Sequence, residues 1–177
     1  KAFTIKNVSG VLSTEQASLT ADKSGISSRF FDIKLDKDGN IVSIFDKVNG
    51  REVLKAGERA NVLQAFEDKP HRYDAWDINV YYQEKMWEVN DVESIQAIDC
   101  GPVRATLRIK RRFMDSSITQ DIYLYNDIPR IDFANVIDWK EKQILLKTAF
   151  PVDIHTDKAT YEIQYGNVER PTHWNTS

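Results

Sequence analysis

Residues 103–137 read VRATLRIKRRFMDSSITQDIYLYNDIPRIDFANVI, and their hydrophobicity alternates with a period of two. Apolar and polar side chains alternate along 103–110, along 118–124 and again along 131–137. Polar turn sequences separate the three runs at 114–117 and 126–129. This pattern predicts three consecutive antiparallel strands, each with one face toward a core and one face toward water.

The same alternation extends to both sides of this stretch. Residues 31–35 and 41–44 alternate around the turn sequence 36–40, which predicts a hairpin, and a second reversal follows at 48–51. Further strands are expected at 144–150 and 161–165. Helical spacing of apolar residues is scarce, so we expect seven or more strands in an all-β protein, an antiparallel β-sandwich. A closed eight-stranded sheet is the alternative.

Composition limits the classes of function. The chain has 177 residues, of which 41% are hydrophobic and 29% are charged, as in an ordinary globular domain. We expect one domain over residues 1–177. A net charge of −3 argues against a nucleic-acid partner, and the apolar runs are too short for a membrane-spanning helix. The single cysteine, Cys100, is predicted to be a buried structural thiol, and its isolation favours the cytoplasm.

Basic residues cluster on and after the first of the three central strands. They are Arg104, Arg108, Lys110, Arg111 and Arg112. We interpret them as a solvated sheet face rather than a phosphate site, because Asp115, Asp121 and Asp127 are close enough in sequence to balance them from neighbouring strands.

The segment 66–87 differs from the rest, because it carries six aromatic residues in 22 positions with acidic residues between them. Residues 68–77 lack alternation and are expected to form a long ordered loop. Aromatic planes beside carboxylates suit a sugar, whose C–H face packs on a ring while its hydroxyls donate to Asp or Glu. The candidate residues for substrate binding or for a domain interface are Tyr73, Asp74, Trp76, Asp77 and Tyr81.

Other interpretations of this segment remain open at this point. Trp76 and Trp87 could plug the end of a sandwich, with Asp74 and Asp77 capping backbone amides of a turn. The two aspartates could also form a hydrolytic pair. A metal could bind His71 together with the same two aspartates, or His155 with Asp157, although neither spacing is a known ligand signature. The residues alone therefore assign neither a catalytic residue nor a metal ligand.

Several segments, in order, resemble a known family. They are Gly50-Arg51-Glu52-Val53-Leu54, residues 60–70 (ANVLQAFEDKP), Tyr73-Asp74-Ala75-Trp76-Asp77-Ile78, Gly101-Pro102-Val103-Arg104-Ala105, Pro129-Arg130-Ile131-Asp132-Phe133 and residues 168–173 (VERPTH). With residues 41–47 they are similar to the C-terminal β-domain of α-mannosidases of glycoside hydrolase family 38, most of all the bacterial and cytosolic members. The resemblance covers nearly the whole chain after about Ser28.

The resemblance implies a zinc-dependent, retaining hydrolase of terminal α-linked mannose with an aspartate nucleophile. It also implies a sandwich of the galactose mutarotase type, or supersandwich, excised from the parent enzyme and truncated at both ends. In the family the zinc ligands and the nucleophile lie in an N-terminal domain that no part of this chain matches. We therefore expect no catalytic residue, no metal ligand and no cofactor here, with zinc in the missing domain.

The expected partners are an α-mannoside or oligosaccharide and the enzyme's own N-terminal catalytic domain. Three hypotheses remain for the chain itself. It could be a supporting sandwich that borders the substrate cleft, an autonomous carbohydrate-binding module, or a purely structural interaction domain.

Overall fold

The computed structural model describes residues 19–74 and 76–173. Within them the chain forms fourteen strands and one short 3₁₀ helix, Val80–Glu84. The strands are β1 Thr20–Asp22, β2 Gly25–Ser27, β3 Phe31–Leu35, β4 Ile41–Asp46, β5 Arg51–Glu52, β6 Val62–Glu67, β7 Met86–Glu88, β8 Asp91–Cys100, β9 Arg104–Phe113, β10 Ser116–Tyr125, β11 Ile131–Asp138, β12 Ile144–Ala149, β13 Lys158–Ile163 and β14 Gly166–Pro171. The expectation of an all-β chain is confirmed.

The strands form antiparallel sheets. The order is β1-β2-β3-β4-β5 in the first sheet, β11-β10-β9-β8 in the second and β12-β6-β7 in the third, while β13 and β14 form a hairpin. In the second sheet Ile122 of β10 lies opposite both Leu107 of β9 and Phe133 of β11. The three consecutive strands predicted from residues 103–137 are therefore present.

The second sheet packs against the other two, which gives the predicted sandwich. A core cluster joins Ile33 and Ile44 of the first sheet to Leu107 and Ile122 of the second. A smaller cluster joins Leu63 and Ala65 of β6 to Ile118 of β10. An isolated bridge between Ile41 and Ala60 connects the first sheet to the chain just before β6. Removing these side chains from water is the main favourable free energy of the fold.

Arg108 lies on the outer face of β9, as the sequence predicts. It binds the carboxylate of its cross-strand neighbour Asp121 through two hydrogen bonds of 2.7 Å, from Nε and from Nη2. This pair lowers the pKa of Asp121. Opposite charges across adjacent strands thus balance this part of the face.

Arg111 contradicts the prediction of a solvated basic face. Its side chain is only 1% exposed, because β9 directs residue 111 to the same side as Leu107 and Ile109. Nη2 donates to the backbone oxygens of Gly39, at 2.6 Å, and Asp38, at 3.3 Å. Burial lowers the pKa of Arg111 to about 10, so the guanidinium still carries its charge at neutral pH. Arg111 therefore fixes the β3–β4 turn to the second sheet.

Two other sequence predictions are wrong. Cys100, expected to be buried, is an exposed residue at the end of β8, and its thiol lies 3.0 Å from the backbone oxygen of Leu19. Tyr165, expected on a strand, lies in the turn between β13 and β14 with a positive φ of 62°. Both residues lie at or next to the end of a strand, where the alternation of apolar and polar residues no longer indicates which side chains are buried.

The hairpin β13–β14 differs from the sandwich, since none of its residues is buried. No helix within the described ranges has the length and apolar character needed to cross a bilayer. Residues 1–18, 75 and 174–177 lie outside the described ranges, so one domain over residues 1–177 stays a prediction.

The contact between Gly39 and Arg111 can be tested with a matched pair of glycines. Gly39 and Gly50 both have positive φ, 73° and 63°, so alanine strains the backbone at either position by about 1 kcal/mol. A Cβ at Gly39 would also lie 2.8 Å from Nη2 of Arg111, whereas nothing lies within 4 Å of one at Gly50. We expect Gly39→Ala to lower the free energy of unfolding by roughly 1–3 kcal/mol more than Gly50→Ala, measured by denaturant unfolding. Equal losses would contradict the close packing of Arg111 on this turn.

Candidate functional site

The segment 66–87 is a loop held at its base by paired strands. It leaves β6 after Glu67 and returns through the 3₁₀ helix Val80–Glu84 to β7, where Trp87 pairs with Ala65 of β6. Residues 68–74 and 76–79 form no strand or helix, which confirms the loop predicted over 68–77 for the described part of that range. The pairing of β6 with β7 fixes both ends of the loop on the sandwich.

The tip of the loop is a tight turn that presents aromatic rings to solvent. Tyr73 has a positive φ of 59°, and its backbone oxygen accepts hydrogen bonds from the amides of Trp76, at 2.9 Å, and Asp77, at 3.0 Å. Tyr73 is 69% exposed and Trp76 is 88% exposed. The interpretation of Trp76 as a plug is therefore wrong. Trp87 is partly buried, and its ring centroid lies 6.4 Å from that of Phe113.

A cleft of about 420 Å³ opens on one side of the loop. Its lining residues are Glu67, Lys69, Asn79, Tyr81, Tyr82, Glu84 and Lys85. Tyr82 is fixed in place because its ring packs edge-on against Phe66, with centroids 5.2 Å apart, and its hydroxyl accepts a 2.9 Å hydrogen bond from Lys147. The Lys147 hydrogen bond lowers the pKa of Tyr82. Tyr81, beside it in the 3₁₀ helix, is 67% exposed and free to contact a ligand.

Glu67 is the best-defined acceptor of this cleft. Its Oε1 accepts hydrogen bonds from Nζ of Lys69, at 3.0 Å, and of Lys85, at 3.1 Å. These two lysines lower the pKa of Glu67, the Lys69 hydrogen bond most of all. A carboxylate with a lowered pKa stays ionised at neutral pH. Glu67 is therefore suited to accept a hydrogen bond from a hydroxyl and unsuited to donate a proton as a general acid.

A second cleft, of about 530 Å³, opens on the other side of the same segment. It is lined by Asp68, Pro70, Asp74, Lys142, Gln143 and Ile144. Gln143 holds the loop from this side, because its Nε2 donates to Oδ2 of Asp74 at 3.3 Å and its backbone oxygen accepts the amide of Asp68 at 2.8 Å. Successive side chains of 67–70 thus alternate between the two clefts.

The structure separates the five candidate residues. Tyr81 lines the first cleft and Asp74 lines the second. Tyr73, Trp76 and Asp77 line neither of these clefts and lie at the exposed turn of the loop. Sequence reasoning placed Glu67 and Tyr82 in the aromatic and acidic segment without selecting them, and it did not consider Lys147, whose contact with Tyr82 spans 65 positions of the chain.

The described residues do not fit a metal. Nowhere in 19–74 or 76–173 do three or more His, Cys, Asp or Glu side chains form a group that could hold an ion. His71 and His155, the histidines considered from the sequence, therefore belong to no such group. The clefts offer binding groups for a polar ligand and no ligand set for zinc.

Comparison with known proteins gives the same family over most of the chain. The family described as "Glycosyl hydrolases family 38 C-terminal domain" matches residues 26–177. "Alpha-mannosidase G" of Dictyostelium discoideum is 33% identical over 158 residues, which are 86% of this chain and 14% of that protein. "Alpha-mannosidase 2C1" of Homo sapiens is 33% identical over 147 residues, 82% of this chain and 14% of that protein.

A fungal relative agrees with these two. "Alpha-mannosidase" of Saccharomyces cerevisiae is 31% identical over 155 residues, 80% of this chain and 14% of that protein. The chain thus spans about 14% of the length of the relatives it matches. The resemblance seen in the sequence is confirmed, and the chain belongs to glycoside hydrolase family 38, whose C-terminal domain it represents in part.

Proposed function

We propose that this chain is the non-catalytic β-domain of a zinc-dependent, retaining α-mannosidase that hydrolyses terminal α-linked mannose. In this proposal the loop 68–79 and the 3₁₀ helix after it border a substrate pocket whose reactive groups come from an N-terminal catalytic domain. Membership of glycoside hydrolase family 38 supports the α-mannosidase part of the proposal. The observation that carries the border role is the exposed aromatic surface of this loop beside a polar cleft. Location in the cytoplasm is part of the same proposal.

The exposed rings support a contact with something outside the described chain. Tyr73, Trp76 and Tyr81 lie within nine consecutive positions and are all mostly exposed. Fully burying one large apolar side chain stabilises a protein by roughly 1.5–3 kcal/mol. The three neighbouring rings here are mostly exposed, so they contribute little of this stabilisation within the described chain. Substrate and catalytic domain are the two partners that would recover it.

The chemistry of the first cleft favours substrate at Tyr81. A sugar ring places C–H groups on its faces and hydroxyls around its edge, so it needs an aromatic plane and hydrogen-bond acceptors together. Tyr81 offers the plane, and the ionised Glu67 and Asn79 lie in the same cleft. The role of this surface is to bind and orient, while bond cleavage belongs to the catalytic domain.

A second candidate function is an autonomous carbohydrate-binding module. The specific observation in its favour is Trp76, because a nearly fully exposed indole at a loop tip is a ready stacking platform for a sugar face. The two functions differ in whether this chain binds sugar without the catalytic domain.

Tyr81→Ala in the full-length enzyme tests the border role. We expect kcat/KM for an aryl α-mannoside to fall about 10-fold, about 1.4 kcal/mol of lost transition-state binding, with little change in melting temperature. Val80→Ala is the matched control, because Val80 is also exposed in the same 3₁₀ helix but does not line the cleft. If kcat/KM and melting temperature fall together in Tyr81→Ala, the residue is a structural contact and the border role is wrong.

The division of labour has its own test. The 177-residue chain, incubated with zinc, is expected to release no aryl alcohol from an aryl α-mannoside, because its described residues hold no metal-binding group. The full-length enzyme under the same conditions supplies the positive control. Turnover by the short chain, above a zinc-only blank, would contradict a non-catalytic role.

Sugar binding by the short chain decides between the two candidate functions. We expect tryptophan fluorescence of the short chain to stay constant when α-mannobiose is added up to about 10 mM, because the proposed pocket needs both domains. A Kd above about 10 mM corresponds to a binding free energy weaker than about 3 kcal/mol. A saturable change that disappears in Trp76→Phe but persists in Trp139→Phe would instead establish the autonomous module.

A further inference from the structure

One side of the sandwich is unfinished. β11 is an outer strand of its sheet and pairs with β10, whereas β12 is an outer strand of the opposite layer and pairs with β6. Among the residues that the structure describes, neither strand pairs with another strand along its second edge. Unpaired edges expose rows of backbone N–H and C=O groups that can accept a further strand.

Between these two edges lies an apolar groove of about 340 Å³. Its apolar lining residues are Leu63, Ile118, Phe133, Ile137, Leu146 and Phe150. Phe133 and Phe150 pack edge-to-face in it, with centroids 5.3 Å apart. Ile118 belongs to the smaller core cluster, so the groove is an opening of the sandwich interior onto the surface.

The three amide side chains in the groove already have hydrogen-bond partners. Gln120 Nε2 donates to Oδ1 of Asn61, at 3.1 Å, and of Asn135, at 2.9 Å, and Gln120 Oε1 accepts from Nδ2 of Asn61 at 2.7 Å. Asn135 Nδ2 donates to the backbone oxygen of Phe133 at 3.3 Å. A sugar would therefore find few free hydrogen-bonding groups here. An apolar side chain needs no hydrogen bonds, so it could enter the groove without leaving a polar group of its own unpaired.

The sequence of β11 also favours a covered edge. Natural sheets protect free edges with charged residues or proline, and β11 has charges only near its two ends, at Asp132 and Asp138. The five residues between them, Phe-Ala-Asn-Val-Ile, include neither a charge nor a proline. Val136 is 75% exposed and Ile137 is 44% exposed. A bare edge of this kind promotes aggregation unless another segment occupies it.

We infer that in the full-length protein a β-strand from the same polypeptide, outside these 177 residues, adds to the free edge of β11 and fills the groove with its apolar side chains. The source of the strand follows from chain length, because the matched relatives are about seven times longer than the part aligned here. A segment tethered to the domain has an effective concentration on the order of millimolar, which favours it over a second copy. Backbone pairing then supplies affinity, and the apolar groove supplies register.

Photo-crosslinking in the full-length enzyme identifies the occupant. With p-benzoylphenylalanine in place of Phe150, we expect an intramolecular crosslink whose second peptide lies outside these 177 residues. Crosslinks to a second copy, crosslinks confined to these 177 residues, or no crosslink would each overturn the inference. The substitution keeps an aromatic side chain at the mouth of the groove, so the domain should fold.

A pair of adjacent residues provides an independent measurement. Ile137 lines the groove and Val136 does not, so we expect Ile137→Asn to lower the melting temperature of the full-length enzyme by at least about 2 °C more than Val136→Asn. Equal effects would contradict the inference. Neither variant touches the loop 68–79, so this result is distinct from a failure of the proposed border role.

Discussion

The buried guanidinium of Arg111 is the polar constraint that ties the β3–β4 turn of the first sheet to the second sheet. Nη2 binds the turn between β3 and β4, while Nε and Nη1 are buried with no hydrogen-bond partner in the described structure. Burial lowers the pKa of Arg111, whereas the negative charges of Asp36 and Asp38 raise it and so favour the charged guanidinium. Removing a charge from water costs several kcal/mol, so the turn must stay close to Arg111 for the fold to tolerate it.

The position of the candidate site depends on that turn through a short chain of contacts. Hydrogen bonds within the turn also stabilise it, because Oδ1 of Asp36 accepts from the backbone amides of Asp38, at 2.9 Å, and Asn40, at 2.8 Å. Directly after it, Ile41 forms a bridge to Ala60, and β6 begins at Val62. Since the loop 68–79 continues from β6, the interior contact of Arg111 and the exposed aromatic surface share one structural support.

The sequence could predict those parts of the fold in which one strand face is dry and the other wet. The hairpin of β3 and β4 and the succession β9, β10 and β11 were predictable for this reason, since a one-residue slip would expose every apolar side chain. Arg111 lies at a position of β9 whose side chain faces the core, but its charge led to the prediction that it is exposed to solvent. β8 was missed, because it shows no clean alternation and its pairing shifts register between Val92 and Ser94 and again between Ala97 and Asp99. The loop itself was predictable from composition, whereas the residues that line its clefts come from several elements brought together by tertiary packing.

The two incomplete surfaces of the domain call for different partners, and their hydrogen bonding shows why. At the loop, Glu67 remains ionised next to Tyr81, so the surface keeps polar groups available beside an aromatic plane. In the groove, the amides of Gln120 and Asn61 bind one another, and the rest of the lining is largely apolar. A hydroxylated ligand gains more hydrogen bonds at the loop than at the groove, while a strand with apolar side chains gains most at the groove. In the proposed function and the further inference taken together, the sandwich borders a substrate pocket at the loop and completes its sheets with its own polypeptide at the groove, so the two surfaces do not compete for one partner.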